Sequence, residues 1–451
     1  MVKKEGAAGI VGEHTYGTWQ PQASWKTPLH IARAEGVFFF DQSGKRYLDF
    51  SSQLMCSNLG HGNAAIIDAV CRQAKSLPYV APSFSCDAKE AAVAAMLEVL
   101  PSGLDRMFFS TSGTEANEAA LKLVRQIGRK DGKYKVISRY RSYHGSTAAS
   151  IALTGDPRRW AAEPSSALPG VIFAPDAYCY RCPFGLSHPQ CGIRCAEYVE
   201  YMIEEEGHVA AMIVEPVVGT NGIIVPPDEY LPRIREITRK HGVLLIADEV
   251  MSGWYRTGTA FAVDRWGVVP DILTTAKGCS GAYTPVAVTV TSRAIKDAFE
   301  TMAFSHGHTY TMHPLVLSAI PPAVAEYKKL VATGRLKEVS DHLGRRLREL
   351  ADRHASVGDV RGLGHFWAVE LVRDRTTKEP FHTKADKAAL RPLITSKISA
   401  TLLERGVYLS NWYNHFVVAP PLIIREAEVD LGIEILDEAL TLADRETHGG
   451  H

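Results

Sequence analysis

Val243-Leu244-Leu245-Ile246-Ala247-Asp248 and, further along, Asp271-Ile272-Leu273-Thr274-Thr275-Ala276-Lys277-Gly278 decide the fold. Each is a short apolar run that ends close to an ionisable residue. A run that is apolar throughout, rather than alternating, reads as a strand covered on both faces of a parallel sheet. A lysine or aspartate at the end of such a strand costs desolvation energy unless its charge is paired or lost. Covalent use of the amine is one way for a lysine to lose its charge.

Outward from this pair the pattern repeats. Between about residues 62 and 320, strand candidates at 107–109, 135–138, 171–174, 211–214, 243–247, 272–275 and 286–290 alternate with helical spacing, clearest at 88–100 and 115–127. Alternation of this kind predicts an α/β fold with a mostly parallel seven-stranded sheet covered by helices. Beyond about 320, long helical patterns at 336–355 and 385–405 are interrupted by strand candidates at 366–371 and 416–419, as in a smaller α+β domain. Near the N-terminus, 37–40 and 46–50 flank Asp41-Gln42-Ser43-Gly44 and read as a hairpin. The first 35 or so residues lack periodicity and read as an arm, with Trp19 and Trp25 as contacts to the body or to a second subunit. The expected division is 1–61 as arm and part of the small domain, 62–325 as the large domain and 326–451 as the C-terminal small domain.

The chain's 451 residues suit two or three domains, and its 50 Lys+Arg balance its 50 Asp+Glu. Zero formal charge argues against nucleic acid or an anionic membrane as partner. No apolar run approaches the roughly 18 residues of a membrane helix, and Met1-Val2-Lys3-Lys4-Glu5-Gly6 opens no secretory h-region. A cytoplasmic location with mostly reduced thiols among the eight cysteines is the expectation.

Three further segments, besides the Asp248 run, sit at strand ends. Ser110-Thr111-Ser112-Gly113-Thr114-Glu115 joins a strand to a helix; Ser112 and Glu115 fit a capping box, and the free amides there suit a phosphate. Tyr143-His144-Gly145 follows strand 135–138 and places an aromatic where it can stack on a flat ring. Glu215-Pro216 ends strand 211–214, and Asp248 ends the run already quoted. Alone, each is as readily a cap, a loop aromatic or an ion-pair member. Together, phosphate turn, aromatic, carboxylate, aspartate and lysine match pyridoxal 5′-phosphate (PLP), whose pyridinium nitrogen needs an anionic partner and whose aldehyde needs an amine.

The chain resembles the class III, or ω-type, aminotransferases, PLP enzymes of fold type I. The matching residues are Ser112-Gly113-Thr114-Glu115-Ala116-Asn117-Glu118, Tyr143-His144-Gly145, Ile246-Ala247-Asp248-Glu249-Val250 with Gly253 and Arg256-Thr257-Gly258, Pro270-Asp271-Ile272 through Lys277-Gly278, His308-Thr309-Tyr310 and Ala419-Pro420-Pro421-Leu422. The resemblance implies catalytic roles for Lys277, as Schiff-base lysine and proton shuttle, and for Asp248, at the pyridine nitrogen. It implies a cofactor site built from Ser112, Gly113, Thr114, Tyr143, His144, Glu215 and Val250. Tyr143 and Val250 would flank the ring, and Glu215 would stand on its 3′-oxygen side. Thr309 would reach the phosphate of a neighbouring subunit, making an obligate homodimer with shared sites; whether two such dimers pair into a tetramer is left open by the sequence. The implied activity is ping-pong transfer of an amino group from a primary amine or ω-amino acid, taurine-like, to pyruvate or 2-oxoglutarate. A decarboxylating transaminase, an aminomutase and a non-catalytic binding module share the fold.

Two positions depart from the family pattern. Where many members carry an arginine three residues before the first proline of A-P-P-L, this chain has Val417. Where some carry a masking glutamate, it has Thr220. Another cation must then hold acidic substrates, with Arg158 and Arg256 as candidates. No catalytic metal is expected. Cys179-Tyr180-Arg181-Cys182 with Cys191-Gly192-Ile193-Arg194-Cys195 reads either as a loop of reduced thiols, leading into a helix-like stretch at 194–203, or as a structural zinc site.

Overall fold

The computed structural model describes residues 9–162 and 168–447. The first eight residues of the expected arm and the last four of the C-terminal segment lie outside them.

All seven expected strands form, in one sheet ordered Leu104–Ser110, Ala287–Ser292, Ile272–Thr275, Leu244–Asp248, Val209–Val214, Lys135–Arg139, Val171–Ala174. Ala287–Ser292 runs antiparallel to both neighbours, and the remaining pairings are parallel. The sheet is therefore mixed with one reversed strand. Its central strands are buried along their whole length, which is why they read as unbroken apolar runs. Because six strands share a direction, their C-terminal ends open on one edge. Asp248 is the last residue of its strand, Glu215 follows Val209–Val214 directly, and Lys277 begins the short turn Lys277–Cys279 after Ile272–Thr275.

A second core joins the two ends of the chain. Ile31–Glu35, Phe38–Asp41 and Arg46–Asp49 form a small sheet that Val407–Tyr408 completes in parallel. Val357–Leu363, Phe366–Asp374, His415–Val418 and Ser410–Trp412 form an antiparallel sheet. The helices Arg335–Arg353, Ile394–Glu404 and Glu426–Asp444 pack here through Leu343, Leu347, Ile398, Ile433 and Leu436 around Phe50. Burying a ring such as that of Phe50 contributes about 2–3 kcal/mol. The fit is close, since a Cβ on Gly432 would lie 2.7 Å from the Phe50 ring.

Three elements differ from the sequence expectation. Strands Ile31–Glu35 and Val357–Leu363 escape pattern reading, because their Arg, Glu, Asp and Gly residues sit on half-exposed edges. The 385–405 helix is two pieces, Lys384–Ala388 and Ile394–Glu404. Pro392 lacks an amide donor and turns the residue before it away from helical geometry. Among the described residues no helix is long and apolar enough to cross a membrane.

Candidate active site

Asp248 is the anchor of the site. Its carboxylate is 3 % exposed. Oδ2 accepts from Asn117 Nδ2 at 2.8 Å and lies 2.7 Å from His144 Nδ1, while Oδ1 accepts from the Val250 amide at 3.1 Å. Three directed bonds fix one carboxylate and leave acceptor capacity on Oδ1. Asn117 is itself locked, donating to the His144 carbonyl at 2.8 Å and accepting from Thr274 Oγ1 at 2.8 Å. The sequence signal for Asn117 was available, because it lies four residues from Gly113 on one face of the helix Gly113–Gly128.

Lys277 stands in left-handed backbone, φ +47°. Such a conformation costs a lysine roughly 1–2 kcal/mol and persists only where the surroundings impose it. Among the described residues its amine makes no hydrogen bond or ion pair. Burial draws it below the ordinary lysine range. Cys56, Asp248 and Glu215 pull the other way, and Arg158 adds to the lowering.

Ser112 caps the helix Gly113–Gly128, its Oγ accepting the Glu115 amide at 3.4 Å. The expected capping box is only half formed. Glu115 Oε2 accepts from the amide and hydroxyl of Thr111, each at 2.7 Å, and not from the Ser112 amide. The amides of Gly113 and Thr114 precede the first helical bond and point out of the N-terminus with the positive end of the dipole. Gly113 is required by close approach, since a Cβ there would lie 2.8 Å from Val250. Thr114 Oγ1 accepts the Ser146 amide at 3.0 Å, tying the turn to the Tyr143-His144-Gly145 loop.

Glu215 is buried, accepting the Tyr143 amide through Oε1 at 3.0 Å and the Gly219 amide through Oε2 at 2.8 Å. Burial pushes its carboxyl upward, moderated by His144 and those amides. Val250 packs with Ala116, Ala276 and Ala287 beside the helix start. Thr309 is exposed on the surface, its carbonyl accepting from Tyr79 at 3.0 Å. The chain thus brings nine of the ten expected site residues to one sheet edge, and Thr309 faces outward.

The two candidate cations separate cleanly. Arg256 is wholly buried and donates to the His365 carbonyl at 3.2 Å, the Pro420 carbonyl at 2.5 Å, Ser52 Oγ at 3.0 Å and Asn58 Oδ1 at 2.6 Å. It is a strut between segments: its two terminal nitrogens are fully engaged and its unpartnered Nε is buried, which leaves no donor open to a substrate acid group. Arg158 lies 4.0 Å from the Tyr143 ring centre, 4.8 Å from Trp412 and 5.6 Å from Trp19. It pairs with Asp156 through Nε at 2.8 Å, and Asn221 holds the same carboxylate oxygen at 2.9 Å. Trp19 therefore contacts the body through Tyr143 and Arg158. Trp25 stays within the arm, bonded to Thr15 at 3.0 Å. Beyond Asp156 opens a cavity of about 360 Å³ flanked by Arg141, Tyr178, Lys384, Trp412 and His415.

The departures at 417 and 220 are filled without charge. Val417 is buried in an apolar cluster with Val217 and Met251. The Thr220 carbonyl accepts from His415 Nε2 at 3.0 Å. Burial, with Arg361 nearby, pushes His415 down to about 4, so it is neutral near pH 7.

A sheet-edge lysine without a partner, an aspartate held by three donors and a capped helix N-terminus define the class of enzyme that carries PLP on a lysine. The residues fit that cofactor, because the unpaired, partly buried Lys277 amine, the orphaned His144 Nε2 and the glycine forced by Val250 are otherwise unexplained costs. The chain belongs to the class-III aminotransferases, whose family model matches residues 20–440. It is 33% identical to an adenosylmethionine-8-amino-7-oxononanoate aminotransferase of Geobacter sulfurreducens, covering 95% of each chain. It is 32% identical to the taurine–pyruvate aminotransferase of Rhodobacter capsulatus, covering 96% of this chain and 97% of the relative. Among solved structures it matches the taurine:2-oxoglutarate aminotransferase of Bifidobacterium kashiwanohense, in complex with PLP and glutamate, at a TM-score of 0.90, 32% identity and 98% coverage of both chains. The fold is that of the PLP fold type I transaminases, and the protein is a PLP-dependent aminotransferase.

Proposed function

We propose that this aminotransferase takes its amino group from a primary amine or an ω-amino acid of the taurine type and passes it to pyruvate or 2-oxoglutarate in a ping-pong cycle. The observation that carries the reading is the unpaired Lys277 amine beside an aspartate whose geometry is over-determined. PLP, when bound, supplies an electrophilic carbon and a ring that takes up the electron pair left on the substrate carbon. Asp248 holds a proton on the ring nitrogen, its charge kept in place by Asn117, His144 and the Val250 amide. Ser112, Gly113 and Thr114 receive the phosphate. Val250 and Tyr143 flank the ring, and Glu215 stands at its 3′-oxygen side. Lys277 moves the proton: its neutral amine takes it from the donor carbon and its ammonium returns one. Thr309 serves the phosphate of a neighbouring subunit, so the enzyme works as a homodimer. The cytoplasm is its compartment. Residues 62–325 carry the cofactor, and 1–61 with 326–451 supply the smaller domain.

Arg158 receives the acid group of the substrate, exchanging Asp156 for a sulfonate or carboxylate. Its support is position, against Tyr143 and close enough to Lys277 for its charge to be felt there. The taurine-directed relatives support that donor class. The test is a donor panel of taurine, β-alanine, 4-aminobutyrate, putrescine and 1-phenylethylamine against both keto acids. Arg158→Ala should raise KM for taurine and β-alanine roughly 10–100-fold, the worth of a charge-assisted contact, and leave 1-phenylethylamine nearly unchanged. Equal losses on all donors would remove Arg158 from this role. No turnover with any pair by wild-type enzyme would remove the donor class.

A further inference from the structure

The cysteine-bearing segment is absorbed by none of the chemistry above. Cys179 and Cys182 lie on and just after the turn Cys179–Arg181, and Cys191 and Cys195 lie at the start of the helix Arg194–Glu206. The fold brings all four to the wall of one cavity of about 20 Å³, with His188 and Pro227 closing it. A cavity needs roughly 10–15 Å³ to hold one water, so this one has room for a single ion and no organic ligand. All four thiols are free.

We propose that Cys179, Cys182, Cys191 and Cys195 are the ligands of one structural zinc-class ion that fastens this segment to the body of the enzyme. Three observations join in this. The spacing C-x2-C followed by C-x3-C supplies two chelating pairs, which is how closed four-thiolate zinc sites are built. The cavity gathers both pairs although they belong to different elements. The helix Arg194–Glu206, which begins three residues after Cys191 and carries Cys195 in its first turn, has no side-chain cap, so its positive end is left to favour thiolate. A divalent cation would take the place of the thiol protons, which leave to solvent. No three of the four sulfurs lie within 4.8 Å of one another, so coordination requires side-chain rotation toward the cavity centre.

The competing cluster is Glu200, Glu204 and His241, whose ligand atoms do lie within 4.8 Å of one another. Lys240 and Arg233 already neutralise Glu200, at 2.8 and 3.2 Å, which leaves little for a cation. The thiol site has a structural consequence instead. Tyr178 and Arg181 sit at its rim and both bond Glu370, on the strand Phe366–Asp374, and Tyr178 also lines the 360 Å³ cavity beside Arg158. An ion here would hold that wall of the 360 Å³ cavity in place.

The experiment uses PLP-loaded enzyme from zinc-supplemented cells, desalted without chelator. Metal analysis should give about one zinc per chain, a full complement for one closed site. A mercurial thiol reagent should release that zinc to a chromogenic chelator as four thiols react. Cys182→Ser and Cys195→Ser should each lower bound zinc at least about tenfold, and Glu200→Gln should leave it unchanged. Because a serine variant can fail to fold, wild-type enzyme grown on cobalt supplies a second reading: intense visible bands of tetrahedral thiolate cobalt are expected. Less than about 0.1 zinc per chain with four freely titrating thiols would overturn the proposal. So would a disulfide among them, or zinc that follows Glu200.

Discussion

Arg256, wholly buried, and Lys277, partly buried, are two cations held inside one molecule, and the chain treats them oppositely. Arg256 is given four oxygen partners from four separate segments: Ser52, Asn58, His365 and Pro420. Lys277 is given none among the described residues. Burial lowers both, Arg256 to about 10, so it stays charged while the lysine amine is drawn toward its neutral form. Desolvation of a cation is tolerable when each donor finds an acceptor, and it becomes reactivity when none does. The two regions show where the molecule stores cost and where it settles it.

The largest effect should come from breaking the Lys277 side of the contrast. Lys277→Ala should cut kcat roughly 10⁴-fold or more, since the nucleophile and the proton carrier vanish together. Its melting temperature should equal or exceed that of wild type, because a strained, unpartnered cation is removed. Borohydride reduction and peptide mapping should find pyridoxyl on Lys277 in wild type and on no residue of the variant. Turnover near the wild-type rate would show that the nucleophile lies elsewhere.

Arg256 should behave in the reverse sense. Arg256→Met leaves the His365 and Pro420 carbonyls and the Asn58 oxygen without donors, which should cost about 3 kcal/mol of unfolding free energy. Denaturant titration reads this directly. If stability is unchanged but KM for acidic substrates climbs, the residue is a substrate anchor after all.

The smallest effect is a pH slope beside Arg256. His365 is wholly buried, its Nδ1 2.8 Å from Ser340 Oγ, and burial with the Arg256 charge pushes it down to about 3. The unfolded chain binds this proton below about pH 6.5 and the folded chain refuses it. Stability from this residue is therefore intact above pH 6.5 and lost as pH falls from 6.5 toward 3, at about 1 kcal/mol per pH unit. Below about 3 the folded form binds the proton too, and the slope ends. Urea titrations at pH 7 and 5 should show the loss, and His365→Asn should shrink it. An identical slope in the variant would place the pH sensitivity in other groups.

Much of this was legible beforehand. The central strands of the large sheet announce themselves because strands buried on both faces are apolar along most of their length, and the edge strands follow from their regular alternation with helices. Asp248 and Lys277 are visible as ionisable residues at the ends of such runs. Ile31–Glu35 and Val357–Leu363 were not legible, since edge strands with one solvated face need no apolar signature, even though each pairs with the next strand along the chain. Asn117 was quoted within a motif, yet its task depends on Asp248, His144 and Thr274 arriving around it.

By itself, then, the sequence determined which residues could be buried, where the helices are capped and which side chains carry reactive groups, because hydrophobicity, capping and acid–base chemistry are local properties. Only the tertiary structure decided which of two arginines is a strut and which lies against the Tyr143 ring. It also decided that four cysteines from two stretches line one small cavity, and that a lysine is left unpaired. Hydrogen-bond partnership and desolvation depend on what other parts of the chain bring to the same few ångströms, and no local pattern encodes that.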